Sequence, residues 1–422
     1  MKASEGLLSV SQALERLLAE FQPLELEAVA LEEALGRVLA EPLTAPLDLP
    51  PFANSSMDGY AVRAADVAGA LPEMPATLPV VADIAAGALP PAKPLPAGSA
   101  ARIMTGAPVP PGADAIVPIE ATDDAQSSSG APPPAAVRIL KAASPGKNVR
   151  RPGEDVRAGE LVLPAGHVIR PAAIGLLAAL GMSRVPVRRR PRVAVLSTGD
   201  ELVDLAQALG PGQIYDSNSH TLAALIAAYG GQPLRLGRVP DRLDEMSRRL
   251  REAAEAGADL ILSSAGVSVG AFDVVKRALE QNGTLGFWRV NMRPGKPVAF
   301  GRVHGIPFMG LPGNPVSAAV TFEIFVRPAI LKMAGRTALA KPQRRARLDQ
   351  EIVSDGRESY LRGIVRPEAG GYAARLTGEQ GSNLITSLTK ANALLVIPAG
   401  QKRVAAGEIV TAWMLDWPEE VF

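Results

Sequence analysis

Apolar residues recur at helical spacing near the start of the chain, at Leu14, Leu17, Leu18 and Phe21, with Ser9 or Ser11 available as N-cap and Pro23 closing the run. A helix is predicted there, and a second amphipathic helix over residues 31–39. After Pro42 the period is lost: prolines crowd in, and short apolar runs such as Val80-Val81-Ala82-Asp83-Ile84 alternate with turn residues, as in a small β-rich domain. Within it the segment 123–134 (DDAQSSSGAPPP) is too polar and proline-rich to pack and reads as a mobile loop. Helical spacing returns over 172–180. Arg188-Arg189-Arg190-Pro191 then reads as a solvated linker.

From Val193 strands and helices alternate. The run 193–196 predicts a strand; Leu222, Leu225, Ile226 and Tyr229 predict a helix stopping at Gly230-Gly231; residues 234–239 predict another strand. A helix carrying Leu243, Met246 and Leu250 follows, then a strand ending at Leu262, strands near Phe287 and Val298, a hairpin turning at His304-Gly305, a strand over 306–311 and a helix from Val316. Repeated β-α units of this length predict a mostly parallel, doubly wound sheet covered by helices on both faces. Beyond Arg336 the runs 360–365 and 393–397, separated by Gly and Pro, predict a closing β-barrel or sandwich. The expectation is a multidomain α/β protein. A discontinuous linker domain (1–45 and 150–188) brackets a small β-rich domain (46–149), followed by the central α/β domain (189–336) and a C-terminal β-barrel (337–422).

Composition removes several function classes. The 422 residues carry 44 basic and 43 acidic side chains, so no charge excess points to nucleic acid or an anionic membrane. There is no cysteine, which excludes thiolate ligands, a cysteine nucleophile and disulfides. No uninterrupted apolar run reaches membrane-spanning length and the first residues lack a signal-peptide pattern, so a soluble cytoplasmic protein is expected.

Polar and glycine-rich sequence collects after the predicted strands, where an open parallel sheet binds ligands. Ser197-Thr198-Gly199-Asp200-Glu201 follows one strand, Pro240-Asp241 another, and Ser263-Ser264-Ala265-Gly266-Val267-Ser268-Val269-Gly270-Ala271-Phe272-Asp273 a third. Asn291-Met292-Arg293-Pro294-Gly295-Lys296 comes after Arg289, and Pro312-Gly313-Asn314-Pro315-Val316-Ser317 after the last strand. Each alone is turn-like; five on one rim imply a site. Carboxylates (Glu201, Asp241, Asp273) suit a hard cation such as Mg²⁺. Arg289, Arg293, Lys296 and the N–H groups of the Gly266 and Gly313 loops suit an oxyanion. Together they suggest a phosphate-bearing ligand bridged by a divalent metal. Asp58-Gly59 and Thr105-Gly106, taken alone, read as turns. Gly266-Val267-Ser268-Val269-Gly270 also matches a nucleophile elbow, but a serine hydrolase using Ser268 would need a later histidine, and His304 is the only one.

These motifs resemble the molybdopterin molybdenumtransferases, the MoeA and gephyrin E-domain family. The resemblance rests on residues 197–202, 213–218, 266–273, 293–297 and 311–317, and outside that domain on 56–61, 104–108 and 148–155. It implies a molybdopterin-binding type of α/β domain and insertion of molybdate into adenylylated molybdopterin, with Mg²⁺-dependent cleavage of the phosphoanhydride and release of AMP. It implies that Glu201, Asp241 and Asp273 hold metal or orient the attacking oxygen, and that Arg289, Arg293 and Lys296 neutralise the anions. Thr198, Gly199, Ser264, Gly266, Ser268, Gly270, Pro312, Gly313, Asn314, Pro315 and Ser317 would cradle the pterin phosphate. Functional residues are implied at Asp58, Thr105, Arg150, Asp155 and Ser387 too. A homodimer is implied, the small domain of one subunit facing the large domain of the other, together with transient contact with a molybdopterin adenylyltransferase. The alternative from another class is a non-catalytic pterin-binding or scaffold protein on the same fold. Departures are Ala265 for a common glycine, Arg289 and Arg293 for expected lysines, and Ala271-Phe272 where an acid often precedes Asp273.

Overall fold

The computed structural model describes residues 7–89, 92–126, 131–240, 242–264, 277–278, 280–281 and 283–415. The chain forms two compact units, one of Met1–Ala40, Gly166–Arg170 and Arg184–Phe422, the other of Glu41–Ala165 and Pro171–Ser183.

The first unit begins with α1 (Val10–Ala19), whose N-cap is Ser9 in a capping box: Gln12 N–H donates to Ser9 Oγ (3.2 Å) and Ser9 N–H to Gln12 Oε1 (3.0 Å). Val10, Ala13 and Leu17 are its buried stripe. Strand β1 (Leu26–Ala30) follows. The helix expected over 31–39 does not form beyond a 3-10 turn at Leu31–Glu33. Gly36 sits at φ 75°, and Val38 and Leu39 bridge to Val168 and Val187, so distant strand partners win over a local amphipathic pattern.

In the second unit β2 (Gly59–Val62), β3 (Ala76–Ile84), β4 (Ala100–Ile103), β5 (Ala115–Pro118) and β6 (Ala136–Ile139) form one sheet in the order β5-β2-β4-β3-β6. Every residue of β2 and β4 is buried, and two apolar clusters cover the two faces, one around Tyr60 and Val62, one around Ala61 and Ile103. The loop expected over 123–134 has its flanks tied down: Tyr60 Oη donates to Asp124, and Arg102 Nη1 to the Ala131 carbonyl (2.7 Å); residues 127–130 lie outside the described residues. Helix α2 (Pro171–Ala179) ends this unit's share of the fold.

Returning to the first unit, β7 (Arg184–Arg188) pairs antiparallel with β1. The α/β layer then runs β8 (Arg192–Thr198), α3 (Ser217–Ala228), β9 (Gln232–Val239), α4 (Leu243–Glu255), β10 (Leu260–Ser264), β11 (Gly283–Arg289), the two-residue β12 (Met292–Arg293), β13 (Pro297–Val303), β14 (Ile306–Leu311), α5 (Pro315–Thr321) and, after a π-helical turn at Phe322–Val326, α6 (Arg327–Met333). The sheet order is β9-β8-β10-β14-β13-β11, the first four strands parallel and the last two antiparallel. Alternation decides the layers. Val193 and Val195 point into the core shared with α1 and α3, while Ala194 and Leu196 point to the opposite core under Met246 and Leu250 of α4. Full burial of Met246 and Leu250 contributes roughly 1.5–3 kcal/mol each.

The chain closes with β15 (Gln343–Leu348), β16 (Glu358–Glu368), β17 (Gly371–Leu376), β18 (Ala393–Ile397) and β19 (Ile409–Met414). They pair β16-β17-β15-β19-β18 and back to β16, a closed five-stranded barrel, with β12 added alongside β16. Along β16, Leu361 faces the barrel interior and Tyr360 the core of the α/β layer. By strand alternation Arg362 shares the face of Tyr360. No helix among the described residues is long and apolar enough to cross a membrane.

Candidate functional site

The carboxyl ends of β8, β10 and β14 are tied together by side chains of α3. Ser197 Oγ donates to Asp216 Oδ1 (3.1 Å), and the same oxygen accepts from Ser219 N–H (3.0 Å), so Asp216 caps α3 and fixes it to the end of β8. Two residues on, Asn218 Nδ2 donates to Ser264 Oγ (2.8 Å) and to the Gly313 carbonyl (2.7 Å). One amide thereby holds the mouths of β10 and β14 at fixed separation.

Thr198 is buried at the end of β8, and its Oγ1 has no partner among the described residues. Gly199 follows at φ 143°, and a Cβ there would lie 2.4 Å from Glu201 Oε2. The Glu201 carboxylate thus folds over bare backbone that only glycine provides. The Glu201 carboxylate and the unpaired Thr198 hydroxyl are oxygen ligands of the kind Mg²⁺ takes. The other two expected ligands, Asp241 and Asp273, lie outside the described residues, as do Gly266, Ser268 and Gly270; among the described residues no three acids or histidines cluster. His304 occupies the β13–β14 turn at φ 50°, at the amino end of β14; Ser268, the other residue of the hydrolase reading, lies outside the described residues.

The loop after β14 leads to the barrel. Asn314 Nδ2 donates to Ser382 Oγ (2.8 Å), and Val316 N–H to the Ser382 carbonyl (3.1 Å). Pro315 starts α5, and Ser317 is buried in its first turn. The preceding carbonyl, Gly381, accepts from Arg362 Nη2 (2.9 Å), whose Nε donates to Ser387 Oγ (2.9 Å). Arg362 is completely buried and has no carboxylate partner among the described residues. Burial, with a smaller contribution from the nearby charge of Arg293, pushes its pKa down to about 10.

Arg293 lies on β12 beside β16 and is exposed, 3.7 Å from Asp355. The Asp355 carboxyl is held at about 2 chiefly by its hydrogen bond from Arg357, with Arg293 adding to the effect. Arg289 and Lys296 are exposed on either side of this turn; Gly295, at φ 105°, would bring a Cβ within 2.5 Å of Thr321 Oγ1, so the turn runs close over α5. Three exposed cations, one buried cation and Ser387 therefore belong to one stretch of the first unit.

In the second unit Asp58 Oδ1 accepts from Thr105 N–H (2.6 Å) and Thr105 Oγ1 (2.7 Å), so two residues expected as separate turns form one device. The Thr105 N–H first, and its hydroxyl second, hold the Asp58 carboxyl below the usual carboxylate range. Arg150 and Asp155 line one cavity of about 450 Å³ with Asn54 and Glu154. Asn54 is buried there, and its Oδ1 has no partner among the described residues.

Sequence reasoning missed Arg362, Asn218, Asp355 and Asn54. Arg362 left one signal, a charge inside the apolar run Tyr360-Leu361-Arg362-Gly363-Ile364-Val365. The supposed linker Arg188 to Arg190 is corrected: Arg188 ends β7 and donates to the Leu24 carbonyl (2.9 Å), while Arg189 pairs with Glu25 and with Asp259 (2.8 Å).

Three family descriptions match consecutive stretches of the chain: the MoeA N-terminal region (domains I and II) over 8–181, a probable molybdopterin binding domain over 194–332, and the MoeA C-terminal region (domain IV) over 345–415. The chain is 44% identical over 394 residues to molybdopterin molybdenumtransferase 2 of Mycobacterium tuberculosis, covering 92% of this chain and 94% of that protein. It is 38% identical over 409 residues to the molybdopterin molybdenumtransferase of Haemophilus influenzae, covering 96% and 98%. A crystal structure of the molybdopterin biosynthesis MoeA protein of Pyrococcus horikoshii superposes with TM-score 0.82 at 32% identity, over 98% of this chain and 100% of that one.

Proposed function

We propose, from the premise that this chain belongs to the MoeA family of molybdopterin molybdenumtransferases, that it inserts molybdate into adenylylated molybdopterin, cleaving the phosphoanhydride with Mg²⁺ and releasing AMP. Family membership makes the protein an enzyme of molybdenum cofactor biosynthesis. The observation that carries the finer reading is Arg362. A buried guanidinium with no carboxylate is costly unless an anion completes it. Arg362, which Ser387 and the Gly381 carbonyl hold in place, and the exposed Arg293 offer the donors that a tetrahedral dianion such as molybdate accepts.

In this reading Glu201 and Thr198, with Asp241 and Asp273, hold the metal, which neutralises phosphate charge and polarises the anhydride when bound. Arg289, Arg293 and Lys296 draw in and orient the phosphates, the Gly313-Asn314 loop supports them, and Asn218 keeps that loop in register. A water oxygen bonds to one phosphorus, the bridging phosphorus–oxygen bond breaks, AMP leaves and a proton passes to solvent. Asp58 with Thr105, and the cavity of Arg150 and Asp155, would act on the site of a second subunit in a homodimer. Delivery by a molybdopterin adenylyltransferase and a cytoplasmic location belong to the same proposal.

The test is to incubate the protein with adenylylated molybdopterin, Mg²⁺ and molybdate, and to follow AMP and the reconstitution of a molybdoenzyme. No AMP and no active cofactor would refute the proposal. For the dimer, Asp58→Ala and Glu201→Ala, each inactive alone, should regain activity when mixed and allowed to exchange subunits; no recovery would assign both residues to one chain's site.

A further inference from the structure

The first unit has a second cationic cavity, of about 220 Å³, at the opposite end of the sheet. Its walls come from the residues just before β8, the last turn of α3 before β9, and the end of α6. These are the amino ends of the strands, whereas the site above is at their carboxyl ends. Five arginines line it, Arg37, Arg188, Arg189, Arg190 and Arg336, with Tyr229, and no acidic residue does.

Two of the five are neutralised from outside the cavity, Arg37 by Glu27 and Arg189 by Glu25 and Asp259. Arg188 spends its donors on carbonyls of Leu24 and Ala40, leaving its charge uncompensated. For Arg190 and Arg336 no side-chain hydrogen bond or ion pair is found among the described residues. The bland explanation is that these cations complement the carboxyl ends of α3 and α6, whose Ala227, Ala228 and Ala334 also line the cavity. Two helix ends supply about one negative charge together. Three guanidiniums without a carboxylate exceed that.

Arg336 carries its charge against its surroundings. Burial first, then the charges of Arg327 and Arg170, lower its pKa below the ordinary guanidinium value. Arg327 cannot relieve it, since it is itself buried, donating to the Leu339 carbonyl (2.8 Å) and lying over the Tyr229 ring. Glu323, a buried acid that bonds to the cavity residue Tyr229, is committed to that hydroxyl and to Lys341 (2.8 Å).

We propose that this cavity is a binding site for a small tetrahedral oxyanion of the phosphate class, held by Arg336 and Arg190 with Arg188 behind them. The volume falls below the range typical of drug-sized ligands, so it suits a free oxyanion or a terminal phosphate group rather than a whole nucleotide.

The test uses the full chain in an Arg362→Met background, which weakens the oxyanion site proposed above about a hundredfold, so that the response lost with Arg336 is read against it. Inorganic phosphate is titrated by calorimetry, with thermal melts in parallel, and separate arms use molybdate and AMP. One saturable site per chain is expected, with a melting temperature that rises with phosphate. Adding Arg336→Met should abolish both responses, Arg336→Lys should restore weakened binding, and Arg190→Met should weaken binding about tenfold. Phosphate tighter than AMP identifies a free anion, and AMP tighter identifies a phosphate monoester; loss of either with Arg336→Met supports the site. No saturable binding up to about 10 mM in the Arg362→Met chain, or binding unchanged by Arg336→Met, overturns the proposal. A fall in melting temperature that is the same with and without phosphate would leave the arginines as helix-end complements and overturn it equally.

Discussion

Replacing Arg362 by methionine separates a residue kept for function from one kept for stability. The side chain is fully buried, with a pKa about 10, well below the ordinary guanidinium value, so the folded state opposes its charge by roughly 3 kcal/mol. The sign follows from the lowered value: the cost is present at every pH below about 10 and is relieved only as pH rises from there towards the ordinary guanidinium value, so a measurement at pH 7 meets all of it. Against this, methionine loses the bonds to Ser387 Oγ and the Gly381 carbonyl, about 1.5 kcal/mol each at the low end for a charged donor. Ser387 keeps its bond to the Leu384 carbonyl (2.6 Å). The terms nearly cancel, so urea unfolding followed by tryptophan fluorescence should give a stability within about 1 kcal/mol of wild type. Molybdate binding by calorimetry should fall about a hundredfold, the equivalent of two charge-assisted hydrogen bonds. If the variant loses more than about 3 kcal/mol, Arg362 is a structural residue and the reasoning fails. It fails equally if molybdate binds as before.

Other perturbations test the frame around it. Gly199→Ala should abolish AMP release and cost about 1–3 kcal/mol, because its Cβ would meet the Glu201 carboxylate at 2.4 Å; Gly87→Ala, also at positive φ but with open space around it, is the control that should lose only backbone strain and no activity. Asn218→Ala should lower transferase turnover at least tenfold while costing about 1–2 kcal/mol, since Ser264 and Gly313 lose their common donor; undiminished turnover would show that the spacing of β10 and β14 is set elsewhere. The stabilisation that Asp58 draws from Thr105 is present above the ordinary carboxylate value of 3.8 and lost as pH falls below it, so Asp58 is an anion at neutral pH. In Thr105→Val the hydroxyl is gone but the N–H remains, and a carbon-13 titration should find the Asp58 carboxyl moved upward, still below 3.8; no movement would mean that the hydroxyl does not matter.

The α/β layer was readable because its strands are buried on both faces and its helices carry one apolar stripe, so Val193 to Leu196 and Met246 with Leu250 declare themselves locally. The strand ends were readable for a related reason: Gly199, Gly313 and Asn314 sit where β8 and β14 give way to turns. The failures have the opposite origin. Leu31 to Leu39 has helical spacing, but its fate is set by Val168 and Val187, more than a hundred residues away. Arg188 and Arg189 look solvated until Asp259 arrives to pair with one of them. Arg362 reads as an odd charge in an apolar strand, and only barrel closure reveals that it shares the face of Tyr360 and reaches Gly381 and Ser387. Asn218 is one polar residue among several in a helix's first turn, and nothing local says that it spans two strands.

Tyr360 and Leu394, on the outside of the barrel, belong to the same apolar cluster as Leu17 of α1, Leu222 of α3 and Phe325 beside α6, and Trp413 meets Tyr360 edge-on at 5.1 Å. A chain cut after Arg336 would therefore expose a raw greasy scar on the α/β layer instead of liberating a tidy module. The Arg362 guanidinium and the Gly313-Asn314 loop keep their mutual spacing because no seam runs between the bodies that carry them. Discrimination among oxyanions would then be written into a fixed gap, tuned by changing residues at its edge and not by any hinge.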